Sequence, residues 1–380
     1  MKHSIIAGLL SLVVAAPVWA QVKIGVVLST TGPAASLGIP ERDAVSLMPT
    51  KVGDYDVEYL FLDDASDTTA ALRNVERLVT EEKVDAIIGA STSPNSIAMI
   101  EVAGRSKTPM VSLGAALSII SPMDDNRRWV FKTPYNDSAT AGATVKALLE
   151  SGVKRIGFIG FNDAYGESWL TELRKAVEPA GPELVAVERF HRTDTSVTAQ
   201  VLKVMTAKPD AVVVVASGTP AVLPQATLRE RGFKGDIYQT SGVTNADFIR
   251  VGGEAVEGTL AAAASVTVAE ELPEDHPAKK PAMAFLERWG TKFDKDQLSA
   301  FSGYAWDAYL LLEDALSRVD SSLKPGTEAF RSALRDNIES TKNLPTTNGI
   351  VNMSPADHNG YSDDAPVMIT VKDGRWRLAK

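Results

Sequence analysis

Hydrophobic and polar positions come in repeating blocks along this chain. Each block is a short apolar run, a turn of small polar residues, then a longer stretch with apolar residues three and four apart. That alternation of buried strand and amphipathic helix predicts an α/β protein with parallel sheets. Val84–Ala116 shows the unit most plainly. Its VDAIIGA run is too short for a helix and stops at Gly89. Ser91-Thr92-Ser93-Pro94-Asn95 offers capping side chains with a proline just inside the helix start. Ser96–Arg105 then reads as a helix with Ile97, Ile100 and Val102 toward a core. Thr108-Pro109 ends it, and a strand over Met110–Leu113 runs into Gly114-Ala115-Ala116. Such a βαβ unit sets its two turns side by side at the carboxyl edge of the sheet, where open α/β sheets bind ligands. Hydroxyls and free amides at a helix start suit an anion such as a carboxylate. An ordinary capped helix with small turn residues has the same signature.

The same grammar covers most of the chain. A strand at Val22–Ser29 leads through Thr30–Gly38 into a helix opening near Pro40. Strand Tyr55–Leu62, helix Thr68–Glu82 and strand Trp129–Lys132 belong to this first run, which pauses at Thr133–Asp137. It restarts with helix Ser138–Ser151, strand Arg155–Phe161, helix Glu167–Val177 and strand Glu183–Phe190. Helix Val197–Lys208, strand Asp210–Ala216, helix Ala221–Arg231 and strand Ile237–Thr240 complete it. Two such runs predict two doubly wound lobes. Beyond Gly258–Ala264 the character changes: Pro273–Pro281 is a charged loop, and Ala282–Lys292, Ser299–Arg318 and Phe330–Ser340 are helical. Tyr304 and Trp306 read as core or hinge packing. Val367–Val371 and Trp376–Leu378 flank Asp373-Gly374 as a hairpin. A chain that fills a second lobe and then adds helices is expected to return to the first, leaving a cleft that closes by a hinge.

Length agrees, since 380 residues exceed a single hydrophobic core. Met1–Ala20 has a basic Lys2, an apolar Ile5–Ala16 and small residues at Val18 and Ala20. It reads as an export signal cut after Ala20, which makes the mature chain periplasmic. No other apolar run reaches the length of a membrane span. Without cysteine there is neither a lipidated cysteine nor a disulfide framework. A net charge of −9 with no basic stretch argues against nucleic acid as a partner.

Catalytic and cofactor signatures are lacking. The histidines, His3, His191, His276 and His358, form no metal-binding spacing, so no metal is expected. Neither Ala90-Ser91-Thr92-Ser93 nor Ala216-Ser217-Gly218 is a G-x-S-x-G elbow. Gly157-Phe158-Ile159-Gly160 is strand rather than a dinucleotide loop, and no cofactor is expected. Asp63-Asp64 and Asp124-Asp125 read as solvated turn acids.

Seven stretches carry a resemblance in their order and spacing: VKIGVVLSTTGPAASLG, IIGASTSPNSIAMI, TPMVSLGAA, FKTPYNDS, IGFIGFNDAYGES, DAVVVVASGTPAVLPQATLRERGFKG and DHNGYSDDAPVMITVKDGRW. Together they resemble the periplasmic substrate-binding proteins of ABC importers, branched-chain amino-acid class. The resemblance implies the type I periplasmic-binding fold, two Rossmann-like lobes joined by a three-crossover hinge. Lobe one would be 21–137 and 267–345, and lobe two 138–266 and 346–380. It also implies a monomer that holds one small ligand and delivers it to a membrane permease, without enzymatic chemistry. A ligand sensor of the same fold is the alternative.

In amino-acid binders of this class the Ser/Thr turn and the small-residue turn of lobe one hold the ligand carboxylate. Those positions fall on Ser91, Thr92 and Ser93, and on Gly114, Ala115 and Ala116, with Ser36 in the first loop. From lobe two the candidates are Tyr165 as a stacking wall, Gly218 and Thr219, and Ser241. The class carries an acid near Ser241 to take the ammonium, but Gln239–Val243 holds none. Asp163 and Asp247 remain as substitutes. A buried ammonium without a carboxylate is costly. The expected ligand is therefore a small carboxylate without an α-ammonium, aromatic or otherwise, with a branched-chain amino acid as the alternative.

Overall fold

The computed structural model describes residues 21–179 and 181–379, and the expected export signal lies outside them. Apolar runs near the start become β1 (Val22–Leu28), β2 (Lys51–Val52), β3 (Tyr55–Asp63), β4 (Ala86–Gly89), β5 (Met110–Ser112) and β6 (Val130–Lys132). They lie in the order β2-β3-β1-β4-β5-β6. Every pairing is parallel except β2 with β3. The crossover helices α1 (Ala35–Val45), α2 (Thr68–Arg77) and α3 (Ser93–Arg105) bury the sheet, which is why its central strands read as unbroken apolar runs. Pro40 lies inside α1 rather than at its start. Its missing N–H removes one early helical bond, and burial of Leu37, Glu41, Ala44 and Val45 on that helix outweighs the loss. A π-turn at Leu78–Glu82 extends α2 and stops at Lys83, whose φ is 56°.

The second lobe opens with α4 (Asp137–Glu150) and continues through β7 (Arg155–Phe161), α5 (Ala164–Val177), β8 (Glu183–Phe190), α6 (Thr198–Thr206) and β9 (Ala211–Val215). It goes on through α7 (Val222–Glu230), β10 (Asp236–Thr240), α8 (Ala246–Gly252) and β11 (Leu260–Ala263). The chain then returns to the first lobe with α9 (Lys279–Trp289), α10 (Ala300–Ser317), α11 (Glu328–Glu339) and the short pair β12 (Leu344–Thr346) and β13 (Gly349–Val351). A closing hairpin, β14 (Val367–Lys372) and β15 (Arg375–Leu378), joins the second sheet, whose order is β15-β14-β11-β10-β9-β7-β8. Phe301, Tyr304, Ala308 and Leu312 of α10 pack in one cluster with Leu28, Leu37, Val111 and Phe131. Lys279–Pro281, expected as loop, begins α9.

The chain crosses between lobes three times: after β6, after β11, and between β13 and β14. Residues 346–380 were expected in the second lobe, yet Val351, Met353 and Tyr361 pack in the first core. Asp307 on α10 ties this region together. It accepts from the Thr347 amide (2.8 Å), the Asn348 side chain (2.8 Å) and the Tyr361 hydroxyl (2.9 Å). Tyr135, at the first crossover, donates to the Asn348 carbonyl at 2.6 Å. Buried Lys132 donates to the carbonyls of Ala115, Pro134 and Tyr135, fixing the same crossover to the small-residue turn.

Candidate functional site

Strand order reverses between β1 and β4 in the first sheet and between β7 and β9 in the second. The carboxyl ends at these two switch points face one another, and such reversals are where open α/β sheets take ligands. Between them lies a cavity of about 340 Å³, counted out to its open mouth.

The first wall is the turn Ser91–Ser93. Thr92 caps α3, its Oγ1 accepting from the Asn95 amide, with Pro94 in the first turn. Ser91 Oγ accepts from the Ser29 amide at 2.9 Å and hydrogen-bonds to the buried Glu41 carboxyl. Ser93 Oγ accepts from the Ala116 amide, and Ser112 Oγ from the Gly114 amide, each at 3.0 Å. The amides of Gly114 and Ala116 are thus spent inside the lobe, and neither residue lines the cavity. Ala115 between them does. Among the described residues the amides of Thr92, Ser93 and Ala115 have no protein acceptor. With the positive end of α3 behind them, they form an anion-favouring edge.

The opposite wall comes from lobe two. Asp163 caps α5 through Oδ1, which accepts from the amides of Tyr165 (2.9 Å) and Gly166 (3.2 Å). Its Oδ2 accepts from Arg192 Nε at 2.7 Å. Arg192 also donates to Ser217 Oγ at 2.9 Å and lies 4.1 Å over the Phe161 ring. Three contacts hold the guanidinium in one pose at the cavity's edge. Tyr165 is buried and donates to Thr240 Oγ1 at 2.7 Å, so it is a fixed wall. Burial pushes the phenols of Tyr165 and Tyr304 well above their ordinary range, and both stay neutral. Among the described residues the Tyr304 hydroxyl makes no hydrogen bond of good geometry, with the Ser241 side chain beside it.

Of the residues singled out from the sequence, Ser91, Thr92, Ser93, Ala115, Tyr165 and Ser241 line the cavity. Ser36, Gly218 and Thr219 do not. They touch one another instead: the Thr219 amide donates to Ser36 Oγ at 3.3 Å, and a Cβ on Gly218 would stand 2.5 Å from that oxygen. Their contact joins lobe to lobe. Asp163 and Asp247 are also corrected as ammonium partners. Asp163 is committed to Arg192, and Asp247 pairs with Arg250 outside the cavity. Sequence reasoning missed Arg192 and Ser217; Tyr304, expected as packing, does pack in the first core and lines the cavity as well. One signal for Arg192 existed: it sits two residues past β8, on the same carboxyl edge as the other candidates.

Two parallel-sheet lobes, three crossovers and a small cavity at paired switch points define a bilobal binding protein of the type I periplasmic-binding fold. The chain belongs to the periplasmic binding protein family, whose sequence model matches residues 21–375. It is similar to an extracellular ligand-binding receptor from Rhodopseudomonas palustris HaA2 of known crystal structure, at 43% identity and a TM-score of 0.90, covering 95% of this chain and 100% of that one. A leucine-binding protein from Thermotoga maritima is 25% identical with a TM-score of 0.80, covering 94% and 98%. Among curated proteins, glutamate receptor 2.2 of Arabidopsis thaliana is 23% identical over 296 residues, 76% of this chain. The chain spans only 30% of that receptor's length. No helix among the described residues is long and apolar enough to cross a membrane.

Proposed function

We propose that this chain is a periplasmic solute-binding protein of an ABC importer. It captures a small carboxylate without an α-ammonium, aromatic or aliphatic, and presents it to a membrane permease as a closed monomer. The observation that carries this reading is the charge on the cavity wall: Arg192 is the one formally charged side chain among the described lining residues. A carboxylate meets Arg192 and the amides at the start of α3, both of which favour negative charge. An ammonium meets hydroxyls and rings only. Leu37, Leu113, Tyr165 and Phe301 offer apolar surface to the body of the acid.

Function follows from bridging. Ser91–Ser93 and Ala115 belong to one lobe and Arg192 to the other, so a carboxylate touching both stabilises the closed form over the open one. A thermal-shift screen of the mature chain tests the reading. Benzoate, cinnamate or a short aliphatic acid is expected to raise the melting midpoint, because a ligand bound only by the folded state stabilises it by mass action. A rise with leucine and none with these acids sinks it.

A further inference from the structure

Glu41, on α1 directly behind the Ser91 turn, is fully buried, and its carboxyl is hydrogen-bonded to Ser91 through Oε2. Among the described residues its second oxygen, Oε1, has no partner. We infer that Glu41 is a positioning residue that couples carboxylate capture to uptake of one proton, its protonated carboxyl donating to Ser91 Oγ so that the Ser91 hydroxyl turns to the ligand. The inference rests on the carboxylate reading above and deepens it.

Hydrogen-bond valence makes the case. A serine hydroxyl has one proton to give and two lone pairs to accept with. Ser91 Oγ already accepts from the Ser29 amide at 2.9 Å. While Glu41 is ionised, the one Ser91 proton points backward to it, and a ligand carboxylate at Ser91 finds a lone pair with a buried negative charge behind it. When Glu41 is protonated, its O–H fills the second lone pair and the Ser91 proton is free to face the cavity, which Ser91 lines. Every donor and acceptor at the turn is then used. At a pH where Glu41 is ionised in the free protein, one ligand carboxylate and one proton are taken up together, with the proton resting on Glu41; below that pH Glu41 already holds the proton and the carboxylate binds without net uptake.

The surroundings favour the protonated form. Asp64, at the end of the β3 turn, was expected to be solvated but is fully buried. Its Oδ1 accepts from Ser29 Oγ (2.6 Å) and the Ser66 amide (2.9 Å). Burial raises the Asp64 carboxyl as well, against the lowering effect of Ser29 and of the Asn95 side chain on α3. Among the described residues, Asp64 Oδ2 and the Asn95 side-chain nitrogen make no hydrogen bond of good geometry, and Tyr304 on α10 faces the same pocket of charge with its neutral hydroxyl. Among the described residues no lysine or arginine pairs with Glu41. Burial first, and the Asp64 charge further, hold the Glu41 carboxyl well above its ordinary range, against the lowering effect of Ser91.

Calorimetry on the mature chain tests the linkage, using the tightest binder among benzoate, 4-hydroxybenzoate, cinnamate and isovalerate. Titrations from pH 6 to 10, in buffers of differing ionisation heat, are expected to show affinity falling toward about tenfold per pH unit on the alkaline side, with uptake approaching one proton. Glu41→Gln keeps an N–H donor to Ser91 but cannot titrate, so it is expected to bind within about threefold of the wild type's low-pH affinity and to lose the pH slope. Ser91→Ala, with no hydroxyl to relay, is expected to bind more weakly and without the slope. Wild-type binding with no proton uptake, or a Ser91→Ala protein that keeps the wild-type slope, overturns the inference while leaving the carboxylate reading standing. Failure of every acid to bind wild type overturns the reading itself.

Discussion

The Thr219 amide donates to the Ser36 hydroxyl across the cleft at 3.3 Å, joining two lobes through residues 183 positions apart. Beside it Gly218 holds φ 64° and presses on Ser36 and Leu37. The two lobes meet here as backbone against side chain, with no room for a Cβ, and the ligand cavity begins only behind this contact.

A methyl group at Gly218 should therefore act on closure. Its Cβ would sit 2.5 Å from Ser36 Oγ and 2.8 Å from Leu37 Cδ1 when the lobes are shut. The open form escapes that clash but keeps the backbone strain, because φ 64° with ψ −158° is a conformation that essentially only glycine adopts, costing an alanine about 1–3 kcal/mol. Gly218→Ala is expected to lower ligand affinity at least tenfold, while the backbone strain lowers the melting midpoint of the unliganded protein by only several degrees. Small-angle scattering should show no compaction when ligand is added. Wild-type affinity and compaction would mean that the Ser36 contact does not limit closure.

Ala115 lines the cavity between Gly114 and Ala116, whose amides are spent inside the lobe. Ala115→Asp puts a carboxylate where the ligand's own is expected, beside Arg192. Binding of any carboxylate should fall below detection in calorimetry. The midpoint should move by no more than a few degrees, since Ala115 is only partly buried. Unchanged affinity would move the anion position elsewhere in the cleft.

How far this arrangement could be read from the chain differs by level. Arg155–Phe161 is a strand over the range its pattern predicts, because a strand buried on both faces needs an uninterrupted apolar run; Glu183–Phe190, a half-buried edge strand, also keeps its predicted bounds. Proline 40 misled, since local propensity favours it at a helix start while tertiary burial carries α1 through it. The two-residue β2, the short α8 and the pair β12 and β13 lack the length for any period to show. At the site, residue type located the turns but not the use of each hydroxyl. Nothing local says that Ser93 serves the Ala116 amide or that Ser91 serves Glu41, fifty residues away. Arg192 had only its place on the carboxyl edge to mark it, because its value depends on Asp163, Ser217 and Phe161 meeting around it.

Asp307 gives a test of the hinge. Burial pushes its carboxyl up from 3.8 to about 6, although the Thr347 amide, Thr347 and Asn348 side chains and Tyr361 hydroxyl work against that rise. Between those two values the folded protein holds a proton that the unfolded chain has released. The group's stabilising contribution is thus full below about pH 4 and is lost as pH rises through 6. Two units correspond to roughly 3 kcal/mol as an upper bound. Asp307→Asn removes this titration and leaves every other group in place. The stability gap between wild type and variant, from urea unfolding, is expected to be wider at pH 4 than at pH 7.5. An equal gap at both would show that Asp307 titrates like an exposed carboxylate.

The ligand class rests on what faces the cavity. A zwitterionic amino acid would bring an ammonium to a wall whose one formal charge among the described lining residues is the cation Arg192. Leaving that charge unpaired in a closed cleft costs several kcal/mol, and about 4 kcal/mol is already near a thousandfold in affinity. Asp163 cannot relieve it without giving up Arg192, to which it is held at 2.7 Å. A monocarboxylate with an apolar body avoids the penalty and gains Arg192 as a partner. Calorimetry is expected to show micromolar or tighter binding for some aromatic or aliphatic acid, and little heat with leucine, isoleucine or valine. Arg192→Gln should weaken that acid roughly ten- to a hundredfold, the scale of a charge-assisted hydrogen bond. It should also flatten the dependence of affinity on salt, because the cation that draws the anion is gone. Tight binding of a branched-chain amino acid by wild type, unaffected by Arg192→Gln, would refute this reading and require Asp163 to turn from the guanidinium to the ammonium.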